Sequence, residues 1–90
     1  MGFTAVFGDA PHARVIDFLL AEAARDHTIT DIARGASVAR PTVYKVMEEL
    51  AREGLVTKTR VVGNSRFFAL NGRSRAVRAL ARAAQQLEAR

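Results

Sequence analysis

Ninety residues carry fourteen Lys or Arg against nine Asp or Glu, a net charge of +5, with no cysteine. A chain of this length makes one small domain whose core an oligomer can extend, and the missing thiols exclude disulfide staples and thiolate metal sites. The charge is unevenly placed: residues 1–39 hold three Arg against five acids, whereas residues 40–90 hold eleven Lys or Arg against four, so the second half alone is +7.

The N-terminus from Met1 to Asp9 lacks the basic start of a secretion signal, and Val6 stands where a myristoylation signal has a hydroxyl. Asp9-Ala-Pro11 is a helix start, with Asp9 as N-cap and Pro11 in the first turn. The helix it opens carries Val15, Ile16, Phe18, Leu19, Leu20 and Ala23 and runs to about Arg25. Asp26-His27 is a turn and Thr28-Ile29 a short strand, after which Thr30 caps a helix from Asp31 to about Ala36, with Ile32 and Ala33 inward. Val43, Val46, Met47 and Leu50 then fall at i, i+3, i+4 and i+7, one stripe of the next helix. Pro41 suits its first turn and Gly54 the left-handed residue that closes it. Between the two helices Ser37 stands where such a turn favours Gly, so it takes a positive φ at a cost of roughly 1 kcal/mol; Ala39 offers no cap.

Leu55 to Val62 is rich in β-branched residues, Gly63-Asn64-Ser65 interrupts it and Arg66 to Leu70 resumes it, the pattern of a hairpin. Asn71 is placed to cap a last helix in which Val77, Leu80, Ala84 and Leu87 recur by threes and fours, an a/d seam that wants a partner. The expected fold is therefore mainly α with a small β-hairpin: a winged helix-turn-helix over residues 1–71, with a three-helix core and a wing, followed by a C-terminal dimerisation helix over 72–90.

Phe7-Gly8 with Pro11, Thr42-Val43-Tyr44, Glu53-Gly54-Leu55-Val56 and Leu70-Asn71 occur in the order and spacing of one family, and through them the chain resembles prokaryotic winged-helix transcriptional regulators of the MarR/ArsR-like superfamily. Within it the similarity is to a group of small, mainly archaeal regulators. The resemblance implies a DNA-binding regulator, often a homodimer paired through its terminal helices.

The residues themselves point to the same partner, because a one-sided basic field attracts a polyanion by releasing its counterions. Arg40, Pro41, Thr42, Tyr44 and Lys45 make up the outward, N-terminal half of the candidate recognition helix. Arg40 suits a phosphate or a guanine edge, Thr42 a base edge or a thymine methyl, and Lys45, one turn beyond Pro41 on the same outward face, is placed for a DNA contact. Tyr44 divides between a phosphate contact and packing on the preceding helix. Glu48, Glu49 and Arg52 read as a solvated flank. In the hairpin, Asn64, Ser65 and Arg66 form the tip, with Arg66 aimed at a minor groove and Lys58 and Arg60 along the supporting strand as phosphate contacts. Arg73, Arg75, Arg78 and Arg82 decorate the last helix, whose Val77, Leu80, Ala84 and Leu87 form the expected dimer interface.

His12 and His27 have no paired ligand spacing, and Thr28, Thr30 and Ser37 lack the His and carboxylate partners of a nucleophilic site. The expectation is thus no enzyme, no cofactor, no metal and no membrane span, in a cytoplasmic homodimer that binds double-stranded DNA. Two other uses of the same fold compete: a protein-docking module, and a plasmid or viral partition or replication factor.

Overall fold

The computed structural model describes residues 2–89. Its elements in order are α1 (Gly2–Phe7), α2 (Pro11–Ala21), α3 (Ile29–Ala36), α4 (Arg40–Arg52), β1 (Val56–Val62), β2 (Ser65–Leu70) and α5 (Arg75–Glu88). Among the described residues no helix is long and apolar enough to cross a membrane.

The core is where the apolar spacing puts it. Val43, Val46, Met47 and Leu50 of α4 are buried against Val15 and Leu19 of α2 and Ile29, Ile32 and Ala36 of α3, with Val56 at the start of β1 closing the cluster. Pro41 lies in the first turn of α4, and Gly54 (φ 74°) takes the left-handed conformation that ends it. Ser37 takes φ 57° and ψ 48°, so the turn between α3 and α4 is made with the strained residue that the sequence supplies. Its carbonyl accepts a hydrogen bond from Arg14 Nη1 at 2.8 Å.

The helix boundaries depart from expectation where caps were assigned. Pro11 begins α2, so Ala10 holds the N-cap position and has no capping side chain. Asp9 is one residue too early to cap and instead lies 3.9 Å from Arg14. The helix stops at Ala21 and not near Arg25. Thr28, and not Thr30, caps α3: its hydroxyl accepts from Asp31 N–H, while the Asp31 carboxylate accepts from Thr28 N–H, both at 3.1 Å. This reciprocal capping box starts the helix at Ile29, and the extended piece before it is a single bridge at His27, whose N–H and C=O pair with those of Phe68 at 2.8 Å each. The ring of His27 is buried, its Nε2–H donating to the Glu22 carbonyl at 3.0 Å and its edge meeting Phe18.

The two ends of the chain add an unassigned element and change one cap. Gly2–Phe7 form a helix, α1, that is not among the elements expected from sequence. Its leading amides are bound by a carboxylate far along the chain: Asp17 accepts from Phe3 N–H at 2.7 Å and from Thr4 N–H at 3.0 Å. At the other end Ser74, not Asn71, caps α5 by accepting from Val77 N–H at 3.2 Å. Asn71 instead ties the end of the hairpin to its beginning, donating through Nδ2 to the Gly54 carbonyl at 3.0 Å. The seam of α5 finds part of its partner within the chain, since α5 packs on α1 and α2. Val77 is buried there, while Leu80, Ala84 and Leu87 stay half-buried.

Packing between α2 and α3 depends on Gly35, where a Cβ would overlap the ring of Phe18. Gly35→Ala is therefore expected to destabilise the protein by about 1–3 kcal/mol through overpacking. Ser37→Gly should stabilise it by up to about 1 kcal/mol by relieving the left-handed conformation. Urea unfolding measures both, and an unchanged midpoint for Gly35→Ala would mean that the two helices do not approach this closely.

Candidate nucleic-acid interface

Burying one stripe of α4 fixes which face is left outside. Tyr44 and Lys45 lie off the stripe one turn after Arg40, all three exposed, and Tyr44 keeps 56% of its surface. Tyr44 is thus turned to solvent and not packed into the core. Opposite this face stands the hairpin, and between them runs an open groove of about 700 Å³. Arg40, Tyr44 and Lys45 line it from α4, and Asn64, Ser65 and Arg66 line it from the wing tip. Pro41 and Thr42 are not part of its lining: Pro41 is exposed in the first turn and Thr42 is half-buried beside it.

Thr30 and Glu48, which the sequence does not assign to the interface, also line the groove. Thr30, freed from capping, is exposed at the start of α3 and reaches the groove, and Glu48 supplies the one carboxylate among the lining residues. The T-x-x-D spacing of Thr28 and Asp31 was the signal that would have released Thr30. Against Glu48 stand the cations of Arg40, Lys45 and Arg66, so the groove is net positive.

The hairpin turns through Gly63-Asn64, with Gly63 at φ 59° and Val62 paired to Ser65, a two-residue turn of the kind that suits strand twist. Down the ribbon the register slips by one: Lys58 pairs with Phe68 and Arg60 with Phe67, leaving Thr59 as a bulge. Strand periodicity alone would put Lys58 and Arg60 on one face, but an extra residue sends everything beyond it to the other face. Lys58 therefore shares the face of Phe68, the groove side, whereas Arg60 shares the face of Phe67. The structure does not bring Arg60 to the groove. Its guanidinium lies 4.2 Å over the ring of Phe67 and clasps Asp26 with two hydrogen bonds, Nε to Oδ2 at 2.9 Å and Nη2 to Oδ1 at 3.2 Å. Thr59 Oγ1 donates to the same carboxylate at 2.6 Å.

The cations thus divide in two. Arg14, Arg25, Arg60 and Arg78 are engaged with carboxylates or backbone carbonyls of the chain. Arg40, Lys45 and Arg66 are among the described cations that form no side-chain salt bridge or hydrogen bond. On the flank of α4, Glu49 contacts His12 of α2, which holds its carboxyl below the usual carboxylate range. Ala39 gives the N-terminus of α4 no side-chain cap, so the positive end of the helix dipole is not offset by a capping side chain.

The family model of the IclR helix-turn-helix domain matches residues 14–60, from the first turn of α2 to the bulge in β1 and just over half of the chain. No curated protein matches in sequence. Among solved structures, the MarR family regulator NMB1585 of Neisseria meningitidis superposes with a TM-score of 0.72 at 24% identity, covering 96% of this chain and 64% of that one. The transcription regulator MepR of Staphylococcus aureus gives 0.68 at 20% identity, covering 88% of this chain and 59% of its own. A MepR mutant solved bound to an oligodeoxyribonucleotide gives 0.70 at 18%, over 88% and 56%. These likenesses establish the winged-helix fold of MarR-type regulators, and the chain spans about three fifths of the length of these proteins.

The clasp on Asp26 has a titration signature. Hydrogen bonds from Arg60 and Thr59 lower its carboxyl from the ordinary 3.8 to about 2. A lowered pKa means the clasp contributes its full stabilisation above pH about 3.8 and loses it as pH falls through about 2. Carboxyl ¹³C NMR should find Asp26 still largely ionised at pH about 3, with Arg60→Ala raising its midpoint toward the ordinary value. A wild-type midpoint near 3.8 would show that the clasp does not form in solution.

Proposed function

Because the chain belongs to the IclR helix-turn-helix domain family, we propose that it is a sequence-specific, double-stranded DNA-binding transcriptional regulator that works as a cytoplasmic homodimer. One observation carries the reading: cations from two distant parts of the sequence, Arg40 and Lys45 on α4 and Arg66 on the wing, converge on one exposed groove with no salt bridge to another described residue. Neutralising phosphates with such groups releases condensed counterions, which drives association before any base is read. A MepR mutant with the same fold is solved bound to an oligodeoxyribonucleotide, which supports DNA as the partner.

In the proposed complex the N-terminal half of α4 enters the major groove. Arg40 and Lys45 bind phosphates or a guanine edge, the Tyr44 hydroxyl reaches a phosphate, and Thr42 beside Pro41 touches a base edge or thymine methyl. The uncapped start of α4 favours a phosphate for the same electrostatic reason. The tip of Asn64, Ser65 and Arg66 meets the minor groove or its rim, with Lys58 behind it on the same face of the ribbon. Two copies would place their α4 helices about one helical turn, 34 Å, apart. The α1–α5 pair suits the dimer contact: Val6 and Phe7 of α1 keep 54% and 68% of their surface, and Leu80, Ala84 and Leu87 of α5 are covered only in part. Val77 is already buried within the chain and supports that face from beneath. Nothing in the groove arranges a nucleophile with a base, and regulation by occupancy needs no catalysis or cofactor.

Binding to duplexes selected from a random library, compared with random duplex over a series of salt concentrations, tests the proposal. The selected site should bind at least about 10³-fold tighter. Replacing Arg40, Lys45 and Arg66 together by Ala should shallow the log K against log salt slope by about 2 to 3, at roughly 0.9 per lost phosphate contact, and leave the oligomeric state unchanged. Equal affinity for all sequences at every salt concentration, or an unaltered slope in the triple variant, would contradict it.

A further inference from the structure

The base of the wing packs on the core through Val56, Phe68 and Leu70, and two neighbouring residues in the turn between α2 and α3 add a grip on each strand. His27 holds β2, through the paired backbone hydrogen bonds to Phe68. Asp26 holds β1, through the hydroxyl of Thr59 and the guanidinium of Arg60. Core packing and the His27 bridge hold the base of the ribbon up to the Lys58–Phe68 pair, whereas the grip on Thr59 and Arg60 lies nearer the tip and fixes the angle of the part beyond. The second attachment exists only because of the bulge, which places Thr59 and Arg60 together over Asp26 and takes Arg60 out of the groove. The ring of Phe67 backs the guanidinium on the same face, so the arginine is held from two sides.

We propose that Asp26 is a positioning residue for nucleic-acid binding: by clasping Thr59 and Arg60 it sets the angle at which the tip carrying Asn64, Ser65 and Arg66 meets DNA. This rests on the DNA-binding reading above and deepens it by assigning a role to a carboxylate outside the groove. The consequence runs against simple electrostatics. A carboxylate near a polyanion repels it, so removing a bystander acid would strengthen binding. Removing Asp26 instead weakens binding, because the loosened wing no longer presents Arg66 in register.

Three kinds of variant, assayed by binding to the selected duplex, separate these outcomes. Asp26→Ala is expected to lower affinity about tenfold, the scale of one lost groove contact, and Asp26→Asn to lower it in the same direction. With Arg66→Ala already present, Asp26→Ala should cost less than about twofold more, because the two act through the same contact. Arg60→Lys keeps the charge but loses the two-pronged grip and the ring stacking, so it should behave like Arg60→Ala. Tighter binding by Asp26→Ala, full additivity with Arg66→Ala, or complete rescue by Arg60→Lys would each overturn the proposal, the last by making Arg60 a simple cation. Hydrogen exchange on the free protein tests the clasp without DNA. In Asp26→Ala the amides of residues 57–70 should exchange faster while those of α4 are unchanged, which also rules out general unfolding as the cause. Unchanged hairpin exchange would sink the positioning role even if DNA binds, whereas faster hairpin exchange with no duplex bound by the wild type would sink the DNA reading and leave the clasp standing.

Discussion

Everything on the outside of this domain is oriented by four side chains on its inside. Val43, Val46, Met47 and Leu50 are nearly or fully withdrawn from solvent, and burying side chains of this size contributes roughly 1.5–3 kcal/mol each. A helix so anchored cannot rotate about its axis without exposing that stripe. The outward placement of Arg40, Tyr44 and Lys45 is therefore a by-product of core packing, which is why a surface that makes no contacts of its own is held in a defined orientation. The left-handed Ser37 and the first-turn Pro41 set where that helix begins, and Gly54 sets where the chain leaves it for the wing.

Charge is sorted by the same architecture. The acids of the first half of the chain are largely occupied within the body: Asp17 binds the start of α1, Asp31 closes the capping box of α3, and Asp26 holds the wing. The described cations of the second half are left to face outward, apart from Arg60 and Arg78, which bond within the chain. The asymmetry visible in the sequence thus becomes a spatial one. A groove with Arg40 and Lys45 on one wall and Arg66 on the other has the positive potential that duplex DNA requires, with Glu48 as the only opposing charge in its lining.

The elements that were legible in the sequence are those whose signals are local and repeated. The stripe of α4, its Pro and Gly boundaries, the strained turn at Ser37 and the hairpin around Gly63 each rest on several residues in a short window. What was not legible depends on distance or on a single inserted residue. Helix α1 is too short to be stable alone, and its cap is Asp17, which no local pattern connects to it. Asn71 looked like a cap because it precedes the last helix, but its amide is taken by the Gly54 carbonyl across the hairpin. The bulge at Thr59 is the most consequential case: strand alternation carries no mark of an extra residue, so Arg60 was assigned to the groove when it lies on the reverse face. The seam on α5 was correctly seen as apolar, yet part of what it meets is α1, an element the sequence reading lacked.

The central claim is that the groove between α4 and the wing is the surface that meets DNA. Amide chemical-shift mapping of the labelled protein with a selected duplex tests it most directly. Perturbations concentrated in residues 40–45 and 64–66, with the α1–α5 face quiet, are what the account predicts. Large perturbations on α1 and α5 with a silent groove would contradict it.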